Sequence, residues 1–241
     1  MFSSIGRSRL ARWILPPVFL LASVGALSSW EVRLQPAAVV PSAALAGSGG
    51  TLAVLGGMRT VVAGGFWLRA RLAWERCDAA ETMAMLHLTV AADERPLTFW
   101  LNGARMIAYD LPEWQSDGLP LAVYQRRKTA LILAAIAFLE RGLGAHGPSA
   151  ELYIEMANIR LRALGDRVEA ARLFRLAAEQ PGAPYFAARI HAELLRELGR
   201  PAEALAWLRQ ILPGLPADDP TAQRAVVLER IKGLEQGVTG K

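Results

Sequence analysis

The chain has 241 residues, a formal net charge of +5, 53% hydrophobic residues and a single cysteine, Cys77. This length can bury the core of one or two domains, and the apolar fraction excludes an intrinsically disordered chain. One cysteine excludes an intramolecular disulfide framework and a cysteine-rich zinc module. Residues 1–30 contain three arginines and no acid, so the positive charge is concentrated at the amino terminus. Because the remaining chain is nearly balanced in charge, we expect no nucleic-acid partner.

The amino terminus has the pattern of a membrane anchor. Residues 1–12 form a basic flank, and residues 13–30 follow without a single charge. A membrane-spanning helix needs roughly 17–25 apolar residues, so residues 13–30 favour an uncleaved signal anchor. The small residues Val24, Gly25 and Ala26 leave a cleaved signal peptide as the alternative. Because the arginines precede the segment, we expect a single-pass protein of a bacterial cytoplasmic membrane whose body lies on the periplasmic side.

A second apolar run, Thr51–Leu68, follows a linker at residues 31–50 that is rich in Pro, Ala, Gly and Ser. Arg59 lies near the centre of this run, and an arginine there disfavours membrane insertion by about 2.5–3.5 kcal/mol. The glycines of the run permit close helix packing, so we expect a tightly packed helix outside the membrane. A multi-span membrane-complex subunit, in which this run also inserts, is the alternative.

From residue 51 onward the sequence predicts helices only. Apolar residues recur at helical spacing, and no segment shows sustained alternation with β-branched residues. Glycine and proline breaks divide this part of the chain into predicted helices of about 10–18 residues. Large side chains at helical spacing usually pack inward, so we expect three tryptophans in the core: Trp67, Trp74 and Trp100.

A repeat of 34 residues is the most informative pattern in the chain. Within each copy, apolar positions follow the i, i+3, i+4, i+7 spacing of one helical face, and a glycine marks the turn between two helices. Eight positions of the first copy, Leu161, Leu164, Gly165, Glu169, Ala170, Leu173, Phe174 and Ala177, correspond to Leu195, Leu198, Gly199, Glu203, Ala204, Trp207, Leu208 and Ile211.

This pattern resembles the tetratricopeptide repeat (TPR) family, whose unit is a 34-residue helix–turn–helix. The resemblance is clear for two units within residues 149–217 and degenerate over residues 51–148. Residues 218–241 are expected to form a capping helix, over Pro220–Gln236, and a tail. The layout also looks like that of uncharacterised bacterial membrane-anchored TPR proteins. The resemblance implies an all-α TPR-like array, an α-solenoid, after one N-terminal transmembrane helix.

The side chains offer no catalytic, cofactor-binding or metal-binding pattern. The three histidines are not at metal-binding spacing, and no serine lies in a nucleophile-elbow motif. We expect His87 to be a packed core histidine, Cys77 a half-buried thiol, and Asp93 with Glu94 a solvated turn. We therefore expect no enzyme activity, with a periplasmic helical enzyme as the alternative.

The TPR resemblance also implies a function. The first helices of TPR arrays line a groove that holds peptides or partner helices. The implied function is a non-catalytic scaffold or adaptor that mediates protein–protein interaction in a bacterial envelope assembly. Its partners are then other proteins, and residues 13–30 contact the membrane. When the chain is mapped residue by residue onto TPR units, the resemblance implies seven candidate partner-binding side chains in the groove: Arg105, Tyr109, Glu155, Arg162, Arg189, Glu193 and Arg196.

Overall fold

The computed structural model of the chain describes residues 51–114 and 118–239, and every regular element within these ranges is helical. The predicted all-α class is therefore confirmed for this part of the chain. The predicted anchor at residues 13–30 and the predicted linker at residues 31–50 lie outside the described residues.

The first region comprises the helices that precede residue 149. A π-helical turn, Met106–Asp110, joins α3 to α4. The helices α1 and α5 are 25 and 26 residues long, so the predicted length of about 10–18 residues was wrong for both. Their glycines do not end them, because tertiary packing stabilises a helix more than local propensity does. The helices of this region are α1 (Thr51–Glu75), α2 (Ala79–Ala92), α3 (Leu97–Arg105), α4 (Leu111–Glu113) and α5 (Leu121–His146).

The second region comprises the helices that follow residue 149, and each packs on the next one along the chain. Ser149 and Asp166 cap α6 and α7 by accepting hydrogen bonds from backbone N–H groups of the first turn. Gly165 and Gly199 both have a positive φ, 68° and 73°, which lets the chain leave one helix and enter the next. These helices are α6 (Ala150–Leu164), α7 (Arg167–Ala178), α8 (Tyr185–Glu197), α9 (Pro201–Ile211) and α10 (Arg224–Thr239).

The closing helix begins later than the sequence predicts. A 3-10 turn, Pro220–Ala222, precedes α10, and Gln223 between them has a left-handed φ of 49°. The Asp219 carboxylate accepts the N–H of Thr221 at 2.8 Å and caps this short turn. The predicted single helix over Pro220–Gln236 was therefore wrong at its start, because the cap serves the 3-10 turn and not the long helix.

One large apolar core extends from α1 to α8, and a smaller one lies between α8, α9 and α10. Trp100 and Phe174 belong to the large core, and Trp207 belongs to the smaller one. Trp100 is 3% exposed, which confirms its predicted core position. Trp67 and Trp74 pack against the edge of the large core and are half-buried.

The helices α3 and α5 are close neighbours because each offers a glycine to an aromatic ring of the other. A Cβ atom on Gly142 would lie 3.1 Å from the Trp100 ring, and one on Gly103 would lie 3.0 Å from the Phe138 ring. The two rings also contact each other, with centroids 4.9 Å apart. Trp100 Nε1–H donates to the Glu94 carbonyl oxygen at 2.8 Å, so the buried indole keeps its hydrogen bond.

Two local predictions for the first region were wrong. Asp93 is 4% exposed rather than solvated, because its carboxylate accepts hydrogen bonds from Thr60 Oγ1 at 2.7 Å and from Arg95 Nε at 2.8 Å. The hydrogen bonds from Arg95 hold the pKa of Asp93 well below its ordinary value. Cys77 is exposed rather than half-buried, because it occupies a left-handed turn (φ 56°) that brings Asp78 into position to cap α2.

Among the described helices, α5 alone is long and apolar enough to cross a membrane, judged by length and composition. Its residues Ile132, Phe138 and Leu139 are at most 1% exposed and belong to the large core, so one face of α5 packs inside the protein. The run Thr51–Leu68 forms part of α1, which packs through its inner face and leaves its outer face exposed. Within the described side chains of the run, Ala63 is 0% exposed, but a Cβ atom on Gly64 or Gly65 would meet nothing within 4 Å. The predicted close packing at these glycines was therefore wrong.

Candidate functional site

The seven predicted groove residues separate into two groups. Arg105, Tyr109, Glu155 and Arg162 meet where the π-helical turn packs on α6, and the other three lie along α8. The first group joins the two regions of the protein. The second lies on an open surface of the second region.

In the first group, the Arg105–Glu155 pair is a structural contact. Arg105 Nη2 donates to Glu155 Oε2 at 2.6 Å, and this hydrogen bond raises the pKa of Arg105. Glu155 is 4% exposed, whereas more than half of the Arg105 side chain is exposed. A buried carboxylate that is already paired does not present itself to a partner, so this contact holds α6 against α3.

Tyr109 extends this group. It is half-buried, and burial raises the pKa of its phenol, with a further rise from the nearby Glu155 carboxylate. The guanidinium groups of Arg162 and Arg105 oppose that rise. The phenol is therefore neutral at pH 7, and its hydroxyl can donate or accept a hydrogen bond.

In the second group, Arg189 has a structural contact of its own. Its Nη1 donates to the carbonyl oxygens of Thr221 and Ala222 at 3.1 and 3.0 Å, which ties α8 to the 3-10 turn before α10. Burial lowers the pKa of Arg189, and the positive charge of Arg230 lowers it further. Arg189 therefore helps to build one side of the surface along α8.

Glu193 and Arg196 pair with each other on α8. Arg196 Nε donates to Glu193 Oε1 at 3.1 Å, and this pair lowers the pKa of Glu193 and raises that of Arg196. The two side chains are partly or fully exposed, so the pair contributes little to stability and can exchange its partner for another charge.

Three depressions follow one another along α8, and together they form what we call the α8 groove. The central one has a volume of about 530 Å³ and lies between α8, the end of α6 and α10. It shares Phe186 and Arg189 with a depression of about 520 Å³ at the start of α8. It shares Glu193 and Arg230 with a depression of about 240 Å³ between α8, α9 and α10. The groove therefore follows most of α8, a length of roughly 20 Å.

Phe186 and Arg230 are among the residues of the α8 groove that were not predicted from the sequence. Phe186 is 40% exposed on the groove surface, and Arg230 reaches the groove from α10. Phe186 precedes Arg189 by three residues and Glu193 by seven, so helical spacing could have placed it on the same face. Arg230 could not be placed in the same way, because it comes from another helix.

The charges of the α8 groove are largely internal pairs. In the described part of the chain, the salt bridges of the central depression and its rim are Arg167–Glu197 at 3.2 Å and Arg196–Glu193. Neither of them includes Arg230, although its positive charge further lowers the pKa of both Glu193 and Arg189. An incoming carboxylate is attracted to Arg230, and Phe186, which lines the same depression, offers an apolar contact.

A separate depression, outside the α8 groove, has a volume of about 480 Å³ and lies between α7 and α9. Its floor includes His191, which is 7% exposed and lies edge-on to Trp207 with ring centroids 4.9 Å apart. His191 Nδ1 lies 2.7 Å from the Ala171 carbonyl oxygen, so this nitrogen carries a proton and donates. Burial lowers the pKa of His191, which keeps the imidazole neutral at pH 7. These contacts fix α8 between α7 and α9.

The other histidines have separate partners. His87 is half-buried, lies 5.3 Å from the Phe138 ring centroid and has Nδ1 2.9 Å from Arg141 Nη1. His146 Nε2 lies 2.8 Å from the Glu94 carbonyl oxygen. Within residues 51–114 and 118–239, no three side chains of the types His, Cys, Asp and Glu are grouped so as to hold a metal ion.

Comparison with known proteins adds no relative. No protein-family model matches the chain, and no curated protein matches it in sequence. The function is therefore inferred from the geometry of the α8 groove and from the pattern of the sequence.

Proposed function

We propose that this protein is a non-catalytic, membrane-anchored, TPR-like scaffold that binds a partner protein in the α8 groove. The single observation that carries the proposal is the open groove along α8, with an exposed Phe186 beside Arg230. The 34-residue offset supports the TPR-like interpretation. Gly165 and Gly199 have matching positive φ angles. Ala170 and Ala204, at equivalent positions of the second helix, are both 0% exposed, as close packing of neighbouring helices requires.

The groove defines the chemistry of the partner segment. Phe186 and Ile190 line the groove on one face of α8 and suit an aliphatic or aromatic side chain of the partner. Arg230 suits a carboxylate, because the other charges of the central depression have partners within the protein. The proposed ligand is therefore a helical or extended protein segment that presents an apolar residue next to an acidic one.

The proposed location is a bacterial cytoplasmic membrane, with the body on the periplasmic side, where the scaffold serves an envelope assembly. The arginine-rich flank at residues 1–12 and the uncharged run at residues 13–30 support this orientation. Reporter fusions after residue 120 and after residue 239 test it. Both are expected to report the periplasm, whereas opposite locations would mean that α5 spans the membrane.

Site-specific crosslinking in cells tests the binding function. A photo-crosslinking residue at Phe186 is expected to trap a discrete partner in the membrane fraction. The matched control is Val168, which is 62% exposed on α7 and lies outside the α8 groove. Binding of that partner to the purified full-length protein is then measured for Phe186→Asp and Arg230→Glu. We expect each to weaken binding by about tenfold or more, as for a central contact residue.

Two control variants separate the groove from general surface effects. Val168→Asp places a charge on an exposed apolar position elsewhere, and Arg126→Glu makes the same charge reversal on exposed α5 surface. Neither is expected to change the affinity. The proposal is wrong if the residue-168 probe traps the same partner as the residue-186 probe, or if the groove variants bind as tightly as the controls.

A further inference from the structure

The outer face of α1 carries a stripe of exposed apolar side chains, interrupted by Gly65 and Arg69, which we call the α1 stripe. The stripe follows helical spacing and covers about a third of the helix circumference over roughly 21 Å. Exposure of large apolar side chains on this scale is typical of an interaction surface and not of ordinary solvent-facing helix. Its members are Met58, Val61, Val62, Leu68 and Leu72, with exposures of 52%, 69%, 45%, 66% and 54%.

The opposite face of α1 is already packed on the protein, so the stripe cannot turn inward. Ala63, Ala70 and Ala73 are all 0% exposed on that inner face. Trp67 lies 5.4 Å from the Phe99 ring centroid, and Trp74 Nε1–H donates to Asp110 Oδ2 at 2.7 Å. Because contacts along the helix fix its rotation, the exposure of the stripe belongs to the folded state.

The charges on and beside α1 are mainly positive, since residues 51–76 contain four arginines and one acid, Glu75. Arg69 and Arg76 pair with Glu81 of α2 at 2.8 and 2.6 Å. The other two arginines, Arg59 and Arg71, are exposed. Arg59 and Arg71 lie on opposite sides of the stripe by helical geometry. Arg71 also lies over the Trp74 ring, 4.8 Å from its centroid. An apolar stripe between arginines matches a surface that has an apolar interior and anionic groups at its boundary.

We propose that the α1 stripe docks on an anionic lipid surface. The apolar side chains enter the boundary between headgroups and acyl chains, and the flanking guanidinium groups bind lipid phosphates. This inference rests on the proposed function, because the proposed anchor at residues 13–30 ends only 20 residues before α1 begins at Thr51 and so keeps α1 near the membrane. Docking then adds a second attachment that sets how the body lies on the membrane.

A second copy of the chain is the less favourable occupant. A two-fold symmetric pair would bring the same surface of each copy together. Arg59 and Arg71 beside one stripe would then approach their counterparts beside the other, and the nearby Glu81 already pairs with Arg69 and Arg76. Anionic lipid has the complementary charge.

Lipid quenching in the full-length protein tests the docking. In a Cys77→Ser background, a fluorophore is attached to Leu68→Cys and, as the control, to Val168→Cys, which is 62% exposed on α7. The proteins are reconstituted into phosphatidylcholine vesicles with phosphatidylglycerol and with quencher groups on the acyl chains. We expect quenching at position 68, none at position 168, and a loss of about half or more of the quenching in Arg59→Glu/Arg71→Glu.

Flotation and alkaline extraction, measured on the same samples, separate this inference from the anchor. Protein that floats and resists extraction, with position 68 no more quenched than position 168, overturns the docking and leaves the anchor intact. Protein that floats and is quenched but is extracted supports the docking and overturns the anchor. Protein that does not float overturns both. Shielding of position 68 that depends on protein concentration, and not on acyl-chain quenchers, overturns lipid docking in favour of a second copy.

Discussion

The two regions of the protein differ in how their helices pack. In the second region, α6 to α10, each helix packs on its neighbours along the chain, and the turns at Gly165 and Gly199 each contain a glycine with a positive φ. In the first region, α1 to α5, helix lengths are uneven, a π-helical turn interrupts one segment, and the packing of α3 on α5 depends on two specific glycines. In the second region a substitution near the end of the chain is therefore expected to affect mainly the adjacent helices. In the first region a substitution between α3 and α5 is expected to affect both helices.

The difference also divides the proposed roles. The second region presents the α8 groove, whose central depression lies between α8, the end of α6 and α10. The first region presents the α1 stripe, which leaves one face of a long helix uncovered. The Arg105–Glu155 pair and the large core join the two regions. Substitutions that disturb one region and not the other therefore test how far this division holds.

Removal of the central tryptophan of the first region should have the largest effect. Trp100→Ala deletes a ring that is 3% exposed and leaves Gly142 and Phe138 without their contact. We expect a loss of about 3–5 kcal/mol in the free energy of unfolding, measured by urea denaturation of the full-length protein in detergent. The matched variant is Trp207→Ala in the smaller core.

Hydrogen exchange shows which helices respond to each tryptophan variant. Trp207→Ala is expected to accelerate exchange in α8, α9 and α10 and to leave α3 and α5 protected, because Trp207 belongs to the smaller core and its Nε1–H donates to the Ala188 carbonyl oxygen of α8. Trp100→Ala is expected to accelerate exchange in α3, α5 and the helices that share the large core. Equal responses of all helices to both variants would show that the two regions unfold as one unit.

A single methyl group on Gly142 should have the next largest effect. Its Cβ would lie 3.1 Å from the Trp100 ring, and a buried indole has little room to move. We expect Gly142→Ala to destabilise the protein by about 1–3 kcal/mol. Gly144→Ala, two residues away on the same helix, meets nothing within 4 Å and should stabilise by about 0.5–1 kcal/mol through helix propensity. A stabilising Gly142→Ala would refute the interlock of α3 and α5.

Parts of the second region could be predicted from the sequence because its signals are local. Gly165 and Gly199 mark turns by their own backbone freedom, and Asp166 caps the helix that it precedes. The TPR resemblance implied that Arg189 and Glu193 face a groove, and both side chains line the α8 groove.

Other features could not be predicted, because they depend on residues far apart in the sequence. The buried Asp93 carboxylate accepts a hydrogen bond from Thr60, which lies on another helix, 33 residues away in the sequence. From the sequence alone, Gly142 indicates the end of a helix. In the structure α5 continues past it, and the missing side chain leaves room for the Trp100 ring. Arg230 joins the α8 groove through a contact between separate helices. Helical periodicity gives which side chains share a face of one helix, but not which helix covers that face.

The two turn glycines test the equivalence of the repeat. Alanine at a φ of 68° or 73° is strained, so we expect Gly165→Ala and Gly199→Ala each to lower the free energy of unfolding by about 1–2 kcal/mol. Similar losses, measured by urea denaturation, would agree with one structural role at both turns. Losses that differ by more than about 1 kcal/mol would contradict that equivalence.

Lowering the pH should destabilise each region through one histidine, by less than the substitutions described above. Burial is the main cause that lowers the pKa of both His87 and His191 below the ordinary value of 6.5. As the pH falls through that value, the unfolded chain therefore binds protons before the folded one does. The free energy of unfolding then decreases until the lower folded-state pKa values are reached. Above the ordinary value both imidazoles are neutral in either state, and the contribution is constant.

Glutamine variants assign this acid effect to each region. We expect the urea midpoint to decrease between about pH 7.5 and pH 5, and His87→Gln and His191→Gln each to remove part of the decrease. Hydrogen exchange at the lower pH should be slowed by His87→Gln in α2 and α5, where Phe138 and Arg141 contact the ring. His191→Gln should slow it in α7 to α9, where Ala171 and Trp207 contact the other ring. An acid response that both variants reduce equally in every helix would mean that the regular and the interlocked regions are coupled too strongly to respond separately.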